Sequence, residues 1–208
     1  MTKPKVGDLV KCALDAAIAA ALRYQAMSGG KTVHDHAIET FVSSKIAEAL
    51  FEQTRKDGGT VGLEVPFADV FSDSRAERRG GTGSALSPRS RFDVVCYSDG
   101  MPVGLIEVKK RFNASTGGKD VIRLSDAVQR YGTLHSGSVN FGLWIALQRI
   151  AEGNARLGSD QAEAFTARFR FAIPPKIQHV SSIGEYGTFK RSGRNVSELR
   201  AFGVLFES

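Results

Sequence analysis

Residues 91–112 read RFDVVCYSDGMPVGLIEVKKRF. β-Branched and aromatic residues fill both halves, and Asp99-Gly100 stands between them, a pair suited to a tight two-residue turn because both residues tolerate positive φ. The stretch therefore predicts an antiparallel hairpin with strands at 91–98 and 101–112. Asp93 and Glu107 lie at matching distances from the turn, which makes them near neighbours across the pair. Side chains alternate along a strand, so Glu107 and Lys109 share one face and Val108 takes the other. Lys110 follows directly. An acid and two lysines at the end of an apolar strand carry a desolvation cost unless they are used together.

Two carboxylates at one point suit Mg²⁺, a hard cation that takes one or two protein carboxylates and fills its remaining positions with water and substrate phosphate. Beside them, Lys109 would stabilise charge growing on a phosphate oxygen, or orient and deprotonate a water. Both are tasks of in-line phosphodiester hydrolysis. The competing reading is structural: Glu107 and Lys109 form a salt bridge on an exposed sheet edge and nothing more.

Outward from the hairpin, apolar spacing predicts an amphipathic helix over 8–27, ended by Ser28-Gly29-Gly30, and a second over 32–54 with Thr32 as its N-cap. TVGLEVPF (60–67) reads as a strand, and the arginine-rich interval 72–90 as a mobile basic loop beside the site. After NASTGGK come a helix over 119–135 and a buried strand over 140–150. A helix near 159–168 and a closing strand over 199–208 complete the reading. The expected order around the hairpin is thus αβββαβ, an α/β fold with a central mixed sheet flanked by helices. The chain is expected to form one domain over 1–208, its core at about 32–150, with the helix 8–27 and the region 174–208 as additions.

Asp93 followed by Glu107-Val108-Lys109 across a hairpin, framed by helix, three strands, helix and strand, resembles the PD-(D/E)xK nuclease superfamily, whose members share the restriction-endonuclease-like fold. The proline of that motif is absent, since Phe92 precedes Asp93. The resemblance covers about residues 32–150. It implies metal ligands at Asp93 and Glu107, a catalytic lysine at Lys109, and a further metal-binding glutamate from the preceding helix, for which Glu39 is the choice and Glu48 the runner-up. It implies Mg²⁺ with Mn²⁺ able to substitute, and substrate contacts from Arg123, Gln129, Tyr131 and Lys110. It also implies DNA rather than RNA as substrate, and a role in restriction, defence or repair. A homodimer or a partner subunit completing the substrate channel would fit the same family. The alternative from another class is a catalytically inactive nucleic-acid-binding or assembly module that keeps the fold.

The rest of the sequence bounds these readings. A net charge of +6 favours a polyanionic partner such as nucleic acid over a membrane. Cys12 and Cys96 are the only cysteines, so neither a disulfide framework nor a cysteine zinc site is expected, and a cytoplasmic location fits. Asp8, Lys11 and Asp15 interrupt any apolar export signal near the start. No run of about 18 apolar residues occurs, which argues against a helical membrane span. His34 and His36 flank Asp35 where a helix begins, and read as solvated capping residues rather than metal ligands. His135 and His179 stand alone. Gly-Gly-Thr-Gly-Ser at 80–84 lacks the lysine and helix of a phosphate loop. Trp144 and the phenylalanines at 141, 165, 169 and 171 read as core rather than base-stacking platforms.

Overall fold

In a computed structural model of the chain, residues 4–36, 39–77, 87, 89–111, 114–151, 167, 177–191 and 194–208 are described. The helices are α1 (Val6–Met27), α2 (Val33–His36), α3 (Glu39–Thr54), α4 (Phe67–Asp73) and α5 (Ala114–Tyr131). The strands are β1 (Gly59–Pro66), β2 (Arg91–Ser98), β3 (Met101–Lys109), β4 (Phe141–Ala151), β5 (Ile177–Arg191) and β6 (Arg194–Glu207). The strands form one six-stranded mixed sheet in the order β1-β2-β3-β4-β6-β5. Every neighbouring pair is antiparallel except β3 and β4. The chain is therefore an α/β protein with helices on both sides of a mixed sheet.

The hairpin forms as the Asp99-Gly100 pair predicts. Asp99 has φ 53° and Gly100 φ 76°, the two positive angles a twist-compatible two-residue turn requires. Strand alternation then sorts the apolar side chains into two cores. On one face Val94, Cys96, Ile106, Val108, Leu143 and Ile145 pack beneath α1 and α3. On the other, Val95, Leu105, Trp144 and Ala146 pack beneath α4 and α5. Because β3 and β4 run parallel, the chain must cross over between them, and α5 makes that crossover. Val121, Leu124, Ala127, Val128 and Tyr131 recur at helical spacing and are buried, which fixes the face α5 turns to the sheet.

Close contact holds the start of α5 in place. A Cβ on Gly117 would stand 2.5 Å from the Trp144 ring, so only glycine lets this turn of α5 settle onto β4. Trp144 is fully buried there.

Several boundaries differ from expectation, each for a physical reason. The predicted strand 60–67 stops at Pro66, which adopts an extended conformation as the cap of α4; Phe67 and Val70, one turn apart, then bury a short helix the sequence reading missed. The predicted strand 101–112 ends at Lys109, and the following helix starts at Ala114 rather than 119, ending at Tyr131 before a 3-10 turn at Thr133–His135. The expected helix 32–54 is seen as α2 and α3, positions 37 and 38 lying outside the described residues. Of the basic segment 72–90, positions 78–86 and 88 lie outside them, as does the expected helix 159–168 apart from Ala167, which is helical. The C-terminal region extends the sheet beyond β4: β6 lies between β4 and β5, with Leu199, Ala201, Phe202, Val204, Leu205 and Phe206 buried. His34 is not a solvated cap. It is 6% exposed, and its Nε2 lies 3.2 Å from the Leu147 carbonyl oxygen of β4. Among the described residues, no helix is long and apolar enough to cross a membrane.

Candidate functional site

The sheet is distorted where Asp93 lies. The β1–β2 register pairs Leu63 with Val94 and Val65 with Phe92, passing over Glu64 and Asp93. Glu64 has φ 51°, a left-handed conformation that costs an L-residue roughly 1–2 kcal/mol. The β2–β3 ladder ends at Val94 and Ile106, one step short of Asp93 and Glu107. Face alternation slips at the same point, since Phe92 packs with the α4/α5 core while Val94 packs with the α1/α3 core. With the ladder open, the Asp93 carboxylate takes over: the Val108 N–H donates to Asp93 Oδ2 at 2.6 Å.

At the end of β3 the alternation places Val108 among the α1/α3 core and turns Glu107 and Lys109 toward α5. Glu107 is 1% exposed. Arg123 of α5 donates from Nη2 to Glu107 Oε1, and the same nitrogen lies 3.1 Å from Asp120 Oδ1. Lys109 Nζ lies 3.4 Å from Asp120 Oδ2 and 3.7 Å from Glu39 Oε2 at the first position of α3. Three elements thus converge: the distorted β2–β3 pair, the start of α3 and the first half of α5.

The electrostatics follow from crowding of like charges in a desolvated place. Burial pushes the Glu107 carboxyl up to about 8; Asp93 and Asp120 add to the rise, and Arg123 and Lys109 offset part of it. Asp93 also titrates above the ordinary aspartate range, chiefly through burial and with help from Glu64 and Glu39, against the opposing pull of the Val108 N–H and Lys109. For Lys109 burial pulls downward, but the carboxylates of Asp120, Glu39, Asp93 and Glu107 outweigh it and raise the ammonium above its usual value. Lys109 therefore stays charged. The lysine is a fixed cation amid carboxylates that resist ionising together.

The structure separates the sequence-predicted residues into two groups. Asp93, Glu107, Lys109, Glu39 and Arg123 come together. Glu48 does not: it lies two turns further along α3, exposed, paired with Lys45. Gln129 is exposed, and Tyr131 is 4% exposed, in edge-to-face contact with Phe67 and Phe71, so its burial is explained by the core. Both lie at least six residues beyond Arg123, roughly 9 Å or more along the helix axis. Lys110 is half-buried just beyond β3. Asp120 escaped the sequence reading; the signal was there in its spacing of three from Arg123 on a helix bound to begin at the end of β3.

Asp93 and Glu107 are hard oxygen ligands that repel one another out of water, and a cation relieves both. One oxygen of each is engaged, by Val108 and by Arg123. Among the described residues, no three His, Cys, Asp or Glu side chains stand in a metal-ligating arrangement. No family model, curated protein or solved structure matches the chain.

Proposed function

We propose that the protein is a metal-dependent nuclease that hydrolyses phosphodiester bonds, DNA in preference to RNA, on a restriction-endonuclease-like core of the PD-(D/E)xK kind. The observation that carries this reading is the carboxylate pair of half-buried Asp93 and buried Glu107 beside a charged Lys109 at a break in the sheet. A structural salt bridge needs neither the second carboxylate nor the distortion. The αβββαβ succession from α3 to β4, with α4 inserted, adds support. Asp93 and Glu107 would hold Mg²⁺, with Mn²⁺ able to substitute, and Glu39 would join them once an ion draws the three carboxylates together. When bound, the ion supplies Lewis-acid stabilisation of the phosphodiester and a water of lowered pKa.

The chain's own residues do the remainder. Asp120 and Glu39 anchor the Lys109 ammonium from either side, so it is positioned to donate to a phosphate oxygen or to orient a water. Its raised pKa suits a cation that stabilises developing charge better than it suits a general base. Asp93, tied to the Val108 amide, fixes its carboxylate relative to β3. Restriction, defence or repair would be the setting, with a homodimer or partner subunit completing the channel.

Cleavage of plasmid, linear and single-stranded DNA and of RNA under Mg²⁺ is expected for the wild type. Asp93→Ala and Lys109→Ala should lose it by at least about 10²-fold. The Arg123 contact favours a second reading, a nucleic-acid-binding module that has kept the fold: with an internal cation on Glu107 the acidic site is partly neutralised with no metal. Nucleic-acid binding with no cutting under any divalent metal would establish that reading instead.

A further inference from the structure

The grip of Arg123 on Glu107 is unlike that of a permanent structural pair. Arginine and carboxylate normally meet through two parallel N–H···O bonds, which use the planar fork of the guanidinium. Here one nitrogen, Nη2, serves both Glu107 and Asp120. The buried Nε has no hydrogen-bond partner. An unmet buried donor is costly, and another acceptor would be welcomed there. Glu107, for its part, remains surrounded by Asp93 and Asp120.

We propose that Arg123 is an exchangeable internal partner of Glu107: it donates to that carboxyl in the metal-free protein, yields it to the divalent cation, and stays anchored on Asp120 with its unmet N–H turned to a phosphate oxygen of the substrate. The proposal rests on the metal-dependent reading above. Arg123 and the cation compete for one carboxylate, so metal affinity is set partly by an arginine that never touches the ion. Asp120 is the pivot, since it holds Lys109 and Arg123 at once and keeps the guanidinium near the site after exchange.

Mn²⁺ binding, followed by loss of the free-ion paramagnetic resonance signal at pH 7.5, tests this without reference to activity. Arg123→Gln is expected to bind Mn²⁺ on the order of tenfold tighter than wild type, because the competing charge is gone. In urea the metal-free Arg123→Gln protein should be less stable than wild type, and saturating Mn²⁺ should close that gap. Should this variant fail to fold, Arg123→Lys carries the test. Its point-like ammonium lacks the planar fork that lets the guanidinium reach Glu107 and Asp120 together, so it competes less well for Glu107 and its affinity should still exceed that of wild type. Equal Mn²⁺ affinity in wild type and either variant, with a stability gap that Mn²⁺ does not close, overturns the exchange role alone. Absence of Mn²⁺ binding by every variant, wild type included, overturns it together with the metal site.

Discussion

Replacing Glu107 by glutamine asks how much the fold gives up to keep this carboxylate out of water. The group titrates near 4.5 when exposed and is pushed up to about 8 in the folded protein. The folded state thus holds the proton more tightly than the unfolded chain does. Stability from this group is fully present below pH 4.5 and is lost as pH rises toward 8. One pKa unit corresponds to about 1.4 kcal/mol, so the cost is under about 1 kcal/mol at pH 5 and about 3 kcal/mol at pH 7, a fall of roughly 2–3 kcal/mol between them. Glu107→Gln cannot ionise. Metal-free urea unfolding should therefore give near-equal midpoints for the two proteins at pH 5 and a variant more stable by on the order of 1 M urea at pH 7. Groups remote from the site act on both proteins alike, so the difference reports on Glu107 and the groups coupled to it. Mg²⁺ at pH 8 should stabilise the wild type and leave the variant unchanged. A gap between the two midpoints that stays constant from pH 5 to pH 8 would refute the argument that burial and neighbouring carboxylates strain this site.

Gly117→Ala should lose about 1–3 kcal/mol in urea unfolding, because its methyl would strike the Trp144 ring; an unchanged midpoint would mean that α5 does not seat there as described. Cys96 is buried, with its thiol pushed up to about 12, so in native protein a thiol-specific disulfide reagent should leave it unmodified. Its labelling should appear only across the unfolding transition, and rapid labelling of the folded protein would contradict its place in the core. Tyr131→Phe keeps the ring contacts with Phe67 and Phe71, so stability should change by less than about 1 kcal/mol and any nuclease activity should persist. Loss of cutting in a fully folded variant would restore Tyr131 as a substrate contact.

What could be read from the sequence was local. The hairpin was legible because Asp99-Gly100 dictates its turn, and the turn in turn sets which residues face one another. Glu107 and Lys109 on one side with Val108 on the other follow from strand geometry alone. Asp120 was not legible in that way, because its role depends on how α5 lies over the sheet, a matter of packing between Gly117 and Trp144 rather than of spacing. The packing of Tyr131 was not legible for the converse reason: a residue chosen by analogy also belongs to the aromatic cluster beneath α4. The strand β5 was invisible because Ser181, Ser182, Gly184 and Gly187 interrupt any alternation of apolar residues. At Asp93 the sequence showed its place across from Glu107 but not the open ladder that frees its carboxylate for Val108.

The position of β6 bears on how this protein is made. β6 follows both β4 and β5 in the chain yet lies between them, so during synthesis the apolar edge of β4 waits for residues 194–207 to leave the ribosome before it finds its neighbour. Nascent chains halted before that point would present an adhesive edge to one another or to chaperones, and truncations that remove β6 should fail by aggregation rather than by a modest drop in melting temperature.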